Sequence, residues 1–357
     1  MTTSTAARTR HETAFTRIEL IVVVATLFML VVVSVARLGR AGVENAAATC
    51  LDNHRALAAA WTGYANDHAG LLVNNLSVPE TESTITAKTY LNWANDVMSW
   101  ATTGLDAQTT TNLALVSTSP LFPYLQSNLF AFKCPADSYL SAAQLQAGWQ
   151  LRIRSYSMNG FMGQQAAHND LAIKTGKSVY VPTFRQFLQL DSIPEPGGTF
   201  VFLDEHPDSI NEGLFLNDLS NPTMWFDQPA SHHEGGCSFS FADGHVELHQ
   251  WASDTTKIPV RYSYTRVSIP STQRVDYNWV TARTAVEPTR LATRLTASNQ
   301  LQIVWSSLPT NYVLQARASL VSGSWSNVPT ASVLSPGQRA ATQGVDGAQR
   351  YFRLLRQ

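Results

Sequence analysis

A long apolar run near the N-terminus, with an acid at its start, limits the possible folds more than any other part of this sequence. Leu20–Ala36 holds 17 residues without a charge, with Thr26 and Ser34 as its polar members. As a helix rising about 1.5 Å per residue, this run covers most of a hydrocarbon core of about 30 Å, and Phe15–Ile18 extends it. Glu19 stands at its start, where a carboxylate is costly unless something neutralises it, so we expect this residue to be functional.

Two general explanations account for the run only in part. A cleaved secretory signal has an apolar stretch of about 7–15 residues, and Ser34–Ala36 offers a small-x-small exit, but this run is longer and Glu19 has no role in a signal. A plain membrane anchor explains the length and leaves the acid unexplained. Arg8 and Arg10 before the run favour a cytoplasmic N-terminus, although Arg37 and Arg40 follow it.

A third explanation is a family resemblance. "AFTRIEL" (Ala14–Leu20) resembles the start of type IV pilins and type II secretion pseudopilins, in which a short basic leader precedes Phe-Thr-Leu-Ile-Glu and an apolar helix. The resemblance implies that a prepilin peptidase cuts between Ala14 and Phe15 and methylates the new amine. It also implies that Glu19 pairs with the terminal ammonium of a neighbouring subunit, so that each charge offsets the desolvation cost of the other. Ala14 replaces the usual Gly, and Arg17 replaces an apolar residue.

The N-terminal helix is expected to continue beyond the apolar run. No proline occurs before Pro79, and Gly70 is a plausible stop after "YANDHA". Apolar and aromatic residues recur at alternating steps of four and three and so form one seam along a helix. The members of this seam are Val43, Ala47, Cys50, His54, Leu57, Trp61 and Tyr64.

The middle of the chain resembles a pilin-like family of planctomycete and verrucomicrobial bacteria that is named for a His, nine residues and then Asp-Gly. "PASHHEGGCSFSFADGHVELHQW" (Pro229–Trp251) carries this motif as His233 and Asp243-Gly244. The islands that share the resemblance are "ATCLDNHRALAAAWTGYANDHAG", "KCPAD", "RSYSMNG" and "FVFLDEHPDSINEGLF".

The Asp243-Gly244 pair between alternating apolar residues predicts a hairpin with a two-residue turn. Pairing outward from that turn sets Ala242 opposite His245 and Ser238 opposite His249. One face then carries Phe239, Phe241, Val246, Leu248 and Cys237 and belongs to the core, while the other stays polar and carries Ser238, Ser240, His245, Glu247 and His249. We expect His233 to hydrogen-bond toward the Asp243 turn as a structural staple.

Three cysteines are too few for a disulfide scaffold. A single bridge between Cys50 and Cys134 is possible in an oxidising compartment, three free thiols are the alternative, and Cys237 is predicted to be a core thiol.

A metal site is the second hypothesis for the polar residues of the middle domain. On a strand, His245, Glu247 and His249 share a face, and "DEHPD" adds further candidate ligands. Solvated polar faces are commoner, and no phosphate loop, nucleophile elbow or Cys-x-x-Cys pair occurs, so the sequence predicts no catalytic, metal or cofactor site. An oxygen-ligated Ca²⁺ is the ion expected if one were bound. The candidates considered were Asp204, Glu205, His206, Asp208, His232, His233, Asp243, His245, Glu247 and His249.

The pattern of the last part of the chain predicts a small β-sandwich. Alternating runs at Leu301–Trp305, Tyr312–Ala316, Ser324–Val328 and Arg350–Leu355 are separated by turn-rich joints. The piece resembles fibronectin type III-like modules of secreted verrucomicrobial-type proteins, which implies display, adhesion or glycan contact, with a passive spacer as the alternative. Its aromatic residues are predicted to be core.

Together these features predict an α+β chain with a long N-terminal transmembrane and spine helix, an antiparallel β-sheet head and a C-terminal β-sandwich. The predicted parts are a leader (1–14), the helix (15–70), a head with the His-x9-Asp-Gly motif (71–262), a linker (263–288) and the β-sandwich (289–357).

The predicted function is that of a structural subunit of a type II secretion pseudopilus or type IV pilus-like filament, and the chain is not itself an enzyme. The expected partners are prepilin peptidase, other pilin subunits and the inner membrane, with the C-terminal domains periplasmic or extracellular. The formal net charge of −1 gives no electrostatic case for a nucleic-acid partner. The alternative is an anchored or secreted metal-binding or adhesion protein, and a metallohydrolase ranks behind both.

Overall fold

The computed structural model describes residues 17–166, 176–182, 184–219, 221–264, 266–284, 291–296, 300–306, 312–328, 332–335, 338–344 and 350–356. The chain divides into two compact units, Met1–Ala46 and Ala47–Gln357. It is a mixed α+β protein with one long helix, several short helices and mostly antiparallel sheets. The predicted cleavage residues, Ala14 and Phe15, lie outside the described residues.

Helix α1 occupies Arg17–Asp67. The predicted seam is confirmed where it enters the second unit, because Cys50, His54, Leu57 and Trp61 are all fully buried. The helix ends just before Gly70, whose φ of +84° suits a chain reversal after a helix. Among the residues that the structure describes, no helix is both long enough and apolar enough to cross a membrane.

The head is built on a five-stranded sheet. Its strands are β1 (Tyr156–Asn159), β2 (Phe200–Asp204), β3 (Leu214–Phe215), β5 (Gly236–Phe241) and β6 (Val246–Gln250). The order is β3-β1-β2-β5-β6, and every neighbouring pair is antiparallel except β1 with β3. A separate two-stranded sheet joins β4 (Met224–Trp225) to β7 (Val267–Ser268). The short helices are α2 (Val78–Thr86), α3 (Gly104–Thr110), α4 (Leu113–Val116), α5 (Ala142–Gln146) and α6 (Val275–Thr281).

Two apolar clusters bury the central strands. The first joins the C-terminal part of α1, through residues such as Leu57 and Trp61, to β1 and β2. The second joins β2 and β5 to Trp225 of β4 and to Tyr277 of α6. Every residue of β2 and β5 is buried, as expected for strands that are covered on both faces.

Strands β5 and β6 form the predicted hairpin, but the predicted register is wrong by one residue. Ser240 pairs with Val246 and Ser238 pairs with Leu248. The connection is the three residues Ala242–Gly244, closed by the Phe241 amide donating to the His245 carbonyl at 3.0 Å. Gly244 has a φ of +90°, the left-handed conformation that a three-residue hairpin loop requires at its last position.

This shift corrects the predicted faces of the hairpin. Ser238 and Ser240 are fully buried rather than wet, because β5 lies inside the sheet. Glu247 is opposite Phe239. The His249 ring stacks on Trp279 with centroids 3.7 Å apart. The two strands therefore do not separate into one apolar and one polar face.

The C-terminal part of the chain contains two further antiparallel sheets. Their strands are β8 (Ala292–Leu295), β9 (Gln300–Ser306), β10 (Tyr312–Arg317), β11 (Ser326–Asn327), β12 (Ser332–Ser335), β13 (Gln338–Gly344) and β14 (Tyr351–Arg356). One sheet has the order β12-β13-β9-β8 and the other has the order β11-β10-β14. Trp305 and Leu314 belong to an apolar core between these strands. Trp325 lies instead against the Arg353 guanidinium, 4.4 Å from the ring centre.

Candidate functional site

Four side chains with metal-ligating atoms converge in the interior of the head. They are Cys50, Cys134, Asp204 and His233, and one ligand atom from each lies within 4.8 Å of the others. All four residues are buried, with exposed fractions of 0–2%. Among the described residues, this is the group of at least three His, Cys, Asp or Glu side chains whose ligand atoms lie close enough together to hold one metal ion.

Each member of this Cys/Cys/Asp/His cluster comes from a different part of the fold. Cys50 lies on the buried seam of α1, and Cys134 lies two residues after the end of the short 3₁₀ helix Leu129–Phe132. Asp204 is the last residue of β2, and His233 lies in the turn before β5. The packing of α1 against the sheet therefore brings together residues that are far apart in the sequence.

The short contacts within the cluster link sulfur, oxygen and nitrogen. The Cys50 Sγ is 3.2 Å from Asp204 Oδ1, and the Cys134 Sγ is 3.3 Å from His233 Nε2. The same His233 Nε2 is 3.6 Å from Asp204 Oδ2. A single nitrogen thus faces both a thiol and a carboxylate.

Further polar groups surround the cluster. The Tyr156 hydroxyl donates to Cys50 Sγ at 3.3 Å, and the Ser238 amide donates to Asp204 Oδ2 at 2.9 Å. His54 Nε2 lies 3.9 Å from Asp204 Oδ1, which is too long for a hydrogen bond. Neither ring nitrogen of the fully buried His54 has a hydrogen-bond partner among the described residues. A buried ring without a polar partner is unusual and marks this region as incomplete in its hydrogen bonding.

The two thiols differ in their electrostatic surroundings. Burial raises the pKa of Cys50 well above its ordinary value. The hydrogen bond with Cys50 lowers the pKa of Cys134, and His233 lowers it further. Burial opposes a charge on His233, yet its contacts with Cys134 and Asp204 raise its pKa overall. Cys50 donates to Asp204, and the pKa shifts of Cys134 and His233 run in opposite directions, as expected for a thiol and an imidazole in contact.

Burial acts to raise the pKa of Asp204, but the nearby His54, His233 and His232 outweigh it and lower the pKa. The carboxylate is therefore held ionised in the interior.

The arrangement does not fit a thiol-based catalytic triad. In such a triad one imidazole nitrogen faces the nucleophile and the other faces the orienting acid. Here His233 Nε2 faces both Cys134 and Asp204, and His233 Nδ1 has no hydrogen-bond partner among the described residues. The four side chains are also sealed from solvent. The geometry suits ligation of an ion more than attack on a substrate.

The structure corrects the predicted role of His233. Its side chain points into the cluster, and Asp243 instead accepts from the His245 amide at 3.1 Å and contacts His245 Nδ1 at 2.6 Å. The motif His and the motif Asp-Gly therefore serve different places: Asp243 and Gly244 shape the hairpin loop, and His233 belongs to the interior.

The predicted disulfide partners do lie in one cluster, but all three cysteines are free thiols. Cys237 is the predicted core thiol and contacts the Asp204 carbonyl at 3.3 Å.

The other residues of "DEHPD" have local structural contacts. Glu205 accepts from the Ser209 hydroxyl at 2.8 Å, and Asp208 accepts from the Arg261 amide at 2.6 Å. His206 contacts the Ile258 carbonyl at 3.2 Å. The contacts of Asp208 and His206 attach the loop after β6 to the segment that follows β2.

Sequence reasoning named Asp204 and His233 among many candidates and missed that they meet the two cysteines. The usual sequence signal for such a site is two ligands that lie a few residues apart. The four members of this cluster are all far apart in the sequence. The burial of Cys50 in the helical seam was the available clue.

Comparison with protein families, with curated proteins and with solved structures finds no match to this chain.

Proposed function

We propose that this chain is a structural subunit of a pilin-like filament, either a type II secretion pseudopilus or a type IV pilus-like fibre. In this proposal a prepilin peptidase removes the leader before Phe15, and the exposed apolar residues at the start of α1 associate with the inner membrane before assembly. The chain acts by packing against other subunits and has no catalytic step of its own.

The exposed apolar surface at the start of α1 is the observation that carries this proposal. Large apolar side chains from Ile18 to Leu30 are 42–75% exposed, although they would be expected inside a protein or a bilayer. Residues of this kind occur all around the helix, so one packed neighbour would not cover them. Lipid, followed by a bundle of equivalent helices, would cover them. The exposed residues are Ile18, Leu20, Ile21, Val22, Val23, Val24, Leu27, Phe28, Met29 and Leu30.

Glu19 gives this surface a fixed register in the proposal. An isolated carboxylate in an apolar bundle is costly, and a terminal ammonium on a neighbouring subunit is the cation that cleavage before Phe15 would create. Subunits would then assemble in the arrangement that pairs the two charges.

Assembly of a Glu19→Ala variant tests the proposal. We expect the variant to accumulate in the membrane at a normal level and to be absent from the sheared filament fraction. Glu44→Ala is the matched control, since Glu44 is an exposed acid on the same helix, and it should assemble normally. Normal filaments with Glu19→Ala would contradict the proposed pairing, and a chain that never enters any filament would contradict the function itself.

A further inference from the structure

We propose that Cys50, Cys134, Asp204 and His233 bind one structural Zn²⁺ ion inside the head. The inference does not depend on the filament function, because it concerns how the head is held together.

The distances within the cluster match the edges of a small tetrahedron. Zinc lies about 2.3 Å from a Cys sulfur, about 2.0–2.1 Å from a His nitrogen and about 2.0–2.2 Å from a carboxylate oxygen, so tetrahedral ligands are separated by about 3.3–3.8 Å. With Asp204 Oδ2 as the ligand atom, the Cys50–Asp204, Cys134–His233 and Asp204–His233 contacts are 3.5, 3.3 and 3.6 Å. All four ligand atoms lie within 4.8 Å of one another, so the longest separation would have to shorten by about 1 Å around one ion.

The donor types select the ion. Two sulfur ligands argue against Ca²⁺ and Mg²⁺, which prefer oxygen, and a mixture of thiolate, imidazole and carboxylate suits Zn²⁺. Four protein ligands without an open side are typical of a structural rather than a catalytic zinc site. This replaces the sequence-based expectation that any bound ion would be oxygen-ligated calcium.

The surrounding groups fit the charge that a zinc complex would carry. Two thiolates, one carboxylate and a neutral imidazole leave a net charge of −1 on the complex. The Tyr156 hydroxyl and the Ser238 amide already donate to ligand atoms. The His54 ring, whose nitrogens have no hydrogen-bond partner within the described part of the chain, lies beside Asp204. Such outer contacts orient ligands and stabilise a buried charge. Binding requires both cysteines as thiolates and His233 as a neutral imidazole, and so it would release protons.

The ion would join four segments of the head. Cys50 and Asp204, which are 154 residues apart, would be linked through one atom, and so α1 would be tied to β2. Metal binding of this kind contributes directly to folding, because the ligands are not assembled in the unfolded chain.

The metal content of the purified full-length chain in detergent is the first test. We expect about one zinc per chain, in keeping with a closed structural site. The Cys50→Ser and Cys134→Ser variants should bind zinc with an affinity at least about tenfold lower than that of the wild type. Cys237→Ala is the matched control, because Cys237 is an equally buried cysteine outside the ligand set, and it should retain the metal. A metal-free wild-type chain after zinc supplementation, or variants that keep their zinc, would overturn the proposal.

X-ray absorption of the zinc-loaded wild-type chain avoids variants that fail to fold. The expected first shell is two sulfur atoms at about 2.3 Å and two nitrogen or oxygen atoms at about 2.0 Å. A shell with only nitrogen and oxygen would show a different site and would overturn the assignment. An intact-mass loss of two hydrogens, located to a bond between Cys50 and Cys134, would do the same, since a disulfide cannot supply two thiolates.

Discussion

His233 Nε2 lies 3.3 Å from Cys134 Sγ, although 99 residues separate them in the sequence. Among the described residues, no hydrogen bond or ion pair joins the His233 side chain to the Asp243 turn; Asp243 is instead paired with His245. The two ends of the sequence motif therefore have different structural roles: His233 belongs to the buried cluster, and Asp243 belongs to the hairpin loop.

A pair of double-mutant cycles tests this division. His233→Ala combined with Cys134→Ala should show a coupling energy of at least about 1 kcal/mol, because neighbours in one polar network are not independent. His233→Ala combined with Asp243→Ala should be additive within about 0.5 kcal/mol. The measurement is chemical unfolding of the full-length chain. Strong coupling between His233 and Asp243 would restore the staple that the sequence predicted.

Glu212 is expected to make the head less stable as the pH rises toward neutrality. Burial raises its pKa to about 7, and its Oε2 has no hydrogen-bond partner among the described residues. Between the ordinary value of 4.5 and about 7, the unfolded chain ionises while the folded chain keeps its proton, so stability falls by about 3 kcal/mol as the pH increases.

Between pH 4.5 and 7, the unfolding free energy of the Glu212→Gln variant should therefore fall less than that of the wild type. Below pH 4.5 the pH dependence of the two unfolding free energies should be more alike. Glu195→Gln removes an exposed acid and is the control, with a pH profile like that of the wild type. Unfolding free energies at several pH values provide the measurement. Parallel profiles for Glu212→Gln and the wild type would show that Glu212 is not held in its neutral form.

Alanine substitutions at Gly163 and Gly148 distinguish the cost of backbone strain from the cost of steric overlap. Both have positive φ values, +73° and +81°, but a Cβ at Gly163 would overlap the Val73 carbonyl oxygen, while one at Gly148 would meet nothing within 4 Å. Gly148→Ala should cost about 1–2 kcal/mol from conformation alone, and Gly163→Ala at least about 2 kcal/mol more. Equal losses in thermal or chemical unfolding would show that the approach of Val73 is not tight.

Trp93 is predicted to contribute strongly to the stability of the head. Its indole nitrogen donates to Asn75 Oδ1 at 3.0 Å and to the Gly213 carbonyl at 3.1 Å, and its ring lies 5.0 Å from that of Phe202. Trp93→Ala should cost about 3–5 kcal/mol, because it leaves a cavity and removes partners from buried polar groups.

Trp325→Ala is the matched control, since this tryptophan lies on arginine side chains outside the sandwich core and should cost about 1 kcal/mol. A small loss for Trp93→Ala, comparable with that of Trp325→Ala, would contradict the role assigned to Trp93.

Local patterns predicted those parts of the fold that depend on local spacing. The seam of α1 follows from a helix period, and Cys50, His54, Leu57 and Trp61 are buried as that period requires. The hairpin was predictable from Asp243-Gly244, but its register was not. The extra loop residue depends on Gly244 adopting a left-handed conformation, which the dipeptide permits in more than one loop type.

The cluster could not be derived in this way, because its members are separated by long stretches of chain. Asp204 ends a strand that is buried on both faces, and His233 lies in an irregular turn. Only the packing of α1 on the sheet places Cys50 beside them, and single-sequence periodicity gives no information on that packing.

The mass of the mature N-terminus of the native protein is the direct test of the proposed filament function. We expect a chain that begins at Phe15 and carries a methyl group on its terminal amine, since that amine is the proposed partner of Glu19. A chain that begins at Arg37, or one that keeps Met1 to Ala14, would contradict it, because neither could place a free amine at the start of the apolar helix.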